Sequence, residues 1–115
     1  MDRAYAQFAA EKAAELLAID SPTGFTARAA DWVQGAFEAL GCSTKRTEKG
    51  GVLVTLGGAQ SENALLLQAH MDTLGGMVAE VKANGRLRLT ALGGMRPENG
   101  ETENVRVYTR GGGCF

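Results

Sequence analysis

The chain has 115 residues, enough for one domain with a hydrophobic core, and its 44% hydrophobic and 22% charged residues are the composition of an ordinary globular protein. Its formal net charge of −1 at pH 7 argues against a general attraction to nucleic acid or to an anionic membrane. The sequence contains neither a secretory leader nor an apolar stretch of membrane-spanning length, and Cys42 and Cys114 form no Cys-x-x-Cys unit. We therefore expect a cytoplasmic protein without nucleic-acid or membrane partners.

The first forty residues predict two helices. Apolar side chains at helical spacing predict the first helix over residues 2–19. A proline and a glycine within residues 20–24 then interrupt the pattern. Thr26 is a candidate N-cap for the second helix, and Gly41 is a candidate for its left-handed C-terminal cap.

The middle of the chain changes from helical spacing to the alternation that is typical of β-strands. Residues 42–48 and 52–56 predict a hairpin around Lys49-Gly50-Gly51. The apolar run at 64–69 predicts a strand buried on both faces of a mixed or parallel sheet. Ligands of open α/β sheets bind beyond the carboxyl ends of strands, so His70, directly after this run, lies at a candidate site.

The last forty residues predict antiparallel strands. Residues 77–82 and 86–90 flank Ala83-Asn84-Gly85, which is a strong hairpin signal, and the alternation in the second strand predicts one wet and one dry face. Residues 103–110 predict one more strand. This change of character indicates a second structural unit that begins near residue 76.

His70, the only histidine of the chain, and Asp72 are the candidate metal-site residues. Alternate residues of an extended segment point to the same side, so both can serve one pocket. Asp72 could bind a metal itself or could orient a metal-bound imidazole, and a purely structural role for His70 stays open. The sequence has no His-Glu-x-x-His motif and no adjacent glutamate pair, so it does not complete a metal site by itself.

Three segments, in chain order, resemble blocks of metallopeptidase family 42, the glutamyl, deblocking and tetrahedral aminopeptidases. Residues 21–26 resemble the family's S-P-[ST]-G opening, and residues 65–78 resemble its A-H-x-D-E-[IL]-G-x-x-V block. Residues 84–89, followed by Gly93-Gly94, are similar to its N-G-x-L-x-[FL] and G-G elements. Thr73 stands where many members have glutamate, which leaves the substrate preference open.

The resemblance implies a fold and its domains. Residues 1–75 would form the N-terminal part of a zinc-exopeptidase-like α/β/α sandwich with two helices and a mixed sheet. Residues 76–115 would begin an inserted antiparallel β-rich domain that these enzymes use for oligomer contacts. We therefore expect a homo-oligomer.

The resemblance also implies a chemistry. His70 would be a ligand of one of two divalent metal ions, zinc or cobalt, and Asp72 would be the catalytic carboxylate beside it. In this family a metal-activated water removes N-terminal residues from peptides while a glutamate acts as general base. The further ligands are expected beyond Phe115.

Two hypotheses follow for function. The first is an N-terminal fragment of a metal-dependent aminopeptidase that is inactive alone and holds no metal stably. The alternative is a non-catalytic binding or assembly module that retains the peptidase-like fold and offers exposed strand edges to a partner.

Overall fold

The computed structural model describes residues 3–58 and 62–115, and the chain divides into two compact units, Met1–Thr73 and Leu74–Phe115. The described elements are α1 (Arg3–Leu17), α2 (Ala27–Ala39), β1 (Ser43–Arg46), β2 (Val52–Thr55), β3 (Gly75–Val81), β4 (Leu87–Leu92) and a 3-10 turn (Pro97–Gly100). They confirm a mixed α/β chain with two helices followed by strands. Within the described residues, no helix has the length and apolar character needed to cross a membrane.

The helix α1 ends two residues earlier than the sequence predicts, because the amide of Ile19 donates to the carbonyl of Leu16 and tightens the last turn. Its apolar stripe is largely exposed: 71% of Tyr5 and 72% of Leu17 are accessible. A cation–π contact joins it to α2, since Nζ of Lys12 lies 5.8 Å from the ring centroid of Trp32.

The C-terminus of α2 confirms the predicted glycine cap. Gly41 has φ +79°, its amide donates to the carbonyl of Glu38, and the amide of Cys42 donates to the carbonyl of Phe37. These two bonds are the Schellman arrangement, which satisfies carbonyls that the helix itself leaves unpaired.

The N-terminus of α2 differs from the prediction. Thr26 occupies the N-cap position, but its side chain makes no capping bond, and its carbonyl accepts the amide of Ala30 at 2.9 Å. A threonine at this position therefore identified where the helix begins but not how it is capped. Ala29 and Ala30 are fully buried at the core of the first unit.

The predicted first hairpin is confirmed. β1 and β2 pair antiparallel, from Ser43 opposite Thr55 to Arg46 opposite Val52. The guanidinium of Arg46 bonds to Asp31 and Gln34 of α2, which fixes the hairpin against the helix.

The predicted buried strand at 64–69 is wrong for this structure. These residues have no strand pairing, and Leu65, Leu66 and Leu67 are 84%, 69% and 79% exposed. A strand buried on both faces needs neighbours on its edges and a layer on each face, and the described part of the chain supplies neither. The predicted mixed sheet is therefore absent from the described residues, where both sheets are antiparallel pairs. A single parallel bridge joins Pro22 to Thr73 instead.

The second unit contains the predicted Asn-Gly hairpin. β3 and β4 pair antiparallel with a bulge between Val78 and Glu80, and the amide of Gly85, at φ +80°, donates to the carbonyl of Lys82. The predicted dry face is wrong, because Leu87 and Leu89 are 41% and 54% exposed.

The predicted strand at 103–110 is reduced to an isolated bridge between Tyr108 and Cys114. Val107 and Phe115 exchange both backbone hydrogen bonds around the turn that lies between them. Strand pairing at this end of the described residues is therefore limited to one short local loop.

Candidate active site

The segment that carries His70 is held by the loop between the two helices. Ser21, only 2% exposed, donates its hydroxyl to the carbonyl of Met71 at 2.9 Å, and its own carbonyl accepts the amide of Thr73 at 2.8 Å. These bonds fix the backbone on both sides of Asp72, in a stretch that belongs to no regular strand.

The imidazole of His70 is oriented by Asp72. Its Nδ1 lies 3.0 Å from the backbone carbonyl oxygen of Asp72 and 3.1 Å from carboxylate Oδ1. Both partners are acceptors, so Nδ1 carries the proton and donates. In the neutral ring the lone pair is then on Nε2, the nitrogen that is free to bind a metal. The side chain of His70 is 85% exposed, so a ligand can reach it.

The second oxygen of the same carboxylate bonds to Thr23. Oγ1 of Thr23 donates to Oδ2 of Asp72 at 2.7 Å. The hydroxyl of Thr23, and after it the imidazole of His70, lower the pKa of Asp72 from its ordinary value by stabilising the carboxylate form. At neutral pH Asp72 is therefore a carboxylate, and its Oδ1 can accept from Nδ1.

These residues line an open groove of about 620 Å³ in the first unit. Its walls come from residues 23–27, from the β1–β2 turn at 46–51 and from residues 69–72. Gly50 has φ +82° in that turn, and its amide donates to the carbonyl of Thr47. His70 and Asp72 are both among the residues that line this groove.

The donor set fits one corner of a metal site. A histidine with Nδ1 bound to a carboxylate and Nε2 free has the arrangement of a metal-binding imidazole. Within residues 3–58 and 62–115, however, no group of three or more His, Cys, Asp or Glu side chains could enclose an ion. A closed site needs further ligands besides His70 and Asp72.

The sequence predicts that His70 and Asp72 lie on one side of an extended segment, and the structure brings their side chains into hydrogen-bond contact. The sequence predicts no role for Ser21 or Thr23, although both lie in the predicted loop between the helices. The signal that could have identified Ser21 and Thr23 is their position within the S-P-[ST]-G block. That position does not predict which atoms their hydroxyls contact.

Comparison with known proteins finds one family model and two curated relatives. The M42 glutamyl aminopeptidase model matches residues 50–115. The protein named "Putative aminopeptidase YhfE" of Bacillus subtilis strain 168 is 38% identical over 101 residues, which are 88% of this chain. The glutamyl aminopeptidase of Lactococcus lactis subsp. cremoris strain MG1363 is 32% identical over 104 residues, or 89% of this chain. The chain spans 29% of the length of each relative.

Proposed function

We propose that this chain, which belongs to the M42 glutamyl aminopeptidase family, supplies one corner of the active site of a metal-dependent aminopeptidase. The observation that carries the proposal is the contact of Nδ1 of His70 with Asp72, which lies inside the region matched by the family model. In the whole protein, the substrate would be a peptide with a free N-terminus.

In this proposal each described residue has a definite task. His70 binds one metal ion through Nε2, and Asp72 holds the ring in that orientation while remaining ionised. When bound, a pair of divalent ions such as zinc or cobalt would polarise the peptide carbonyl and make a water molecule nucleophilic. The remaining ligands and the general base would come from outside the described residues, so the 115-residue chain alone is inactive.

The fold is part of the same proposal. Residues 1–75 would belong to the α/β/α catalytic domain and residues 76–115 to an inserted β-rich domain that makes homo-oligomer contacts. The exposed run at 65–67 supports this, because an apolar segment of this kind is stable when other strands and helices cover it.

A different class of function accounts for the same exposure. A binding or assembly module would use the exposed apolar run and the sheet edges for a partner and would need no chemistry at His70. The aminopeptidase proposal requires the His70 imidazole to bind a metal ion, whereas the assembly-module proposal gives the imidazole no chemical role.

Two assays test the proposal. The purified chain, given excess Zn²⁺ or Co²⁺, should hydrolyse aminoacyl-p-nitroanilides no faster than the metal ions alone; robust turnover would overturn the one-corner proposal. In a longer polypeptide that carries this chain, His70→Ala should abolish both turnover and bound metal, while Gln68→Ala, two residues earlier and exposed, should leave both unchanged. Full activity and metal content in His70→Ala would favour the assembly module.

A further inference from the structure

We propose that Thr23 is a positioning residue of this site: its hydroxyl fixes the Asp72 carboxylate, which in turn fixes His70 with Nε2 free. The inference deepens the proposed function and rests on it for its purpose, although the geometry itself lies entirely within the first unit. It assigns a task to the loop between the helices, which has no part in the chemistry proposed above.

The carboxylate of Asp72 is held at both of its oxygens. Oδ2 accepts from Thr23 at 2.7 Å, and Oδ1 is 3.1 Å from Nδ1 of His70. Two bonds on opposite oxygens define the plane of the carboxylate, whereas one bond leaves it free to turn.

Packing does not hold these side chains in place. The side chain of Asp72 is 38% exposed and that of His70 is 85% exposed, so neither is enclosed by the protein. Under these conditions the hydroxyl of Thr23 supplies the orientation that burial supplies in a closed site.

The backbone of Thr23 is itself fixed. The amide of Phe25 donates to the carbonyl of Pro22 at 2.7 Å, and Gly24 has φ +86°, as the third residue of a type II turn requires. Thr23 is the second residue of this turn, so the main chain sets the direction of its Cα–Cβ bond, and one rotamer brings Oγ1 to Oδ2 of Asp72.

The positioning role can be separated from a structural one. Ser21, not Thr23, holds the backbone on either side of Asp72. Removing only the Thr23 hydroxyl therefore leaves the segment attached and changes the freedom of the carboxylate alone.

The only histidine of the chain makes the test direct, because its ring nitrogens are the only imidazole signals in a ¹⁵N NMR spectrum. The full 115-residue chain is compared with Thr23→Val, which has the same shape without the hydroxyl, and with Thr23→Ser, which restores it. Thr44→Val is the matched control, because it removes a hydroxyl bond to a different carboxylate, that of Thr44 to Glu38. Circular dichroism verifies that each variant keeps its helices.

At about pH 8, the ratio of the Nδ1–H to the Nε2–H tautomer should fall in Thr23→Val by at most about fivefold, the scale of one net hydrogen bond. The fall is limited because Nδ1 keeps its 3.0 Å contact with the backbone carbonyl of Asp72. Thr23→Ser and Thr44→Val should keep the ratio of the unmodified chain. An unchanged ratio in Thr23→Val, or an equal fall in Thr44→Val, would overturn the inference.

Titrating Zn²⁺ in excess into the same samples distinguishes this inference from the proposed function, because a free Nε2 binds zinc weakly even where the ligand set is incomplete and holds no metal stably. If the tautomer ratio responds to Thr23→Val and zinc moves no His70 signal, the positioning inference stands and the metal role fails. If zinc binds Nε2 with the same affinity in Thr23→Val and in the unmodified chain, the metal role stands and Thr23 is not its positioning residue.

Discussion

The hydroxyl of Ser21 donates to the carbonyl of Met71, which lies fifty residues further along the chain. The carbonyl of Ser21 also accepts the amide of Thr73, so one buried serine fixes the backbone immediately before and after Asp72. The candidate site is therefore built on a contact between two loops and not on a regular strand.

Ser21→Ala should destabilise the first unit by about 1 kcal/mol, because the Met71 carbonyl loses its protein partner. Urea unfolding followed by the fluorescence of Trp32, the only tryptophan, measures the change. Ser43→Ala, at an exposed position of β1, is the control and should be neutral. Equal stability of the two variants would contradict a role for Ser21 in holding the site.

Two glycine substitutions in or beside α2 should change the free energy of unfolding in opposite directions. Gly41→Ala should lower the free energy of unfolding by about 1 kcal/mol, because Gly41 has φ +79° and a residue with a side chain is strained in that conformation. Gly35→Ala should stabilise by about 0.5–1 kcal/mol, because Gly35 lies within the helix and an added Cβ would meet no described atom within 4 Å. The same urea experiment compares both, and a gain in stability for Gly41→Ala would contradict the left-handed cap.

Glu38 should make the stability of the first unit depend on pH. The hydroxyl of Thr44, and after it the amide of Gln34, lower the pKa of Glu38. A lowered pKa contributes stability that is fully present above the ordinary value of 4.5 and is lost as the pH falls through the lowered pKa.

Thr44→Val should therefore raise the pKa of Glu38, and the variant should be less stable than the unmodified chain at about pH 7 but similar to it at a pH below the lowered pKa of Glu38. NMR titration of the Glu38 carboxyl carbon and urea unfolding at both pH values measure the two effects. Thr55→Val, on the neighbouring strand and without a carboxylate partner in the described part of the chain, should change neither. A Glu38 pKa that Thr44→Val leaves unchanged would contradict the assignment.

The exposed apolar run at 65–67 should make the chain self-associate, because three adjacent accessible leucines form a patch that water solvates poorly. Leu66→Lys should shift the sedimentation equilibrium toward monomer. Leu56→Lys is the matched control, because Leu56 is 71% exposed against 69% for Leu66 but has no apolar neighbours beside it. A strictly monomeric unmodified chain with two-state unfolding would contradict this prediction.

The parts of the fold that depend only on residues close in sequence, such as turns and helix caps, were predictable. Glycines at positive φ marked the end of α2 and the β3–β4 turn, because only glycine adopts that conformation without strain. The predicted buried strand at 64–69 is wrong because such a strand depends on neighbouring strands and helices that are distant in sequence. An apolar run does not show whether those neighbours are present.

The candidate site also has one contact between residues close in sequence, which could be predicted, and other contacts between distant residues, which could not. His70 and Asp72 are two residues apart, so the geometry of an extended chain was enough to bring them together. Ser21 and Thr23 contact this segment across about fifty residues. A single sequence shows that such residues are polar and lie in a loop, but it does not show which atoms they meet.

The central claim is that Nε2 of His70 is a metal ligand and that Asp72 orients the ring. The most direct measurement is a Zn²⁺ titration of the His70 ¹⁵N signals in the 115-residue chain, repeated with Asp72→Ala and with Glu38→Ala as a control carboxylate. We predict that excess zinc shifts Nε2 through weak binding, as expected of an incomplete ligand set, and leaves Nδ1 protonated. Asp72→Ala should weaken this binding by about 10- to 100-fold, and Glu38→Ala should have no effect. Binding through Nδ1, or equal zinc affinity in Asp72→Ala and the unmodified chain, would contradict the account.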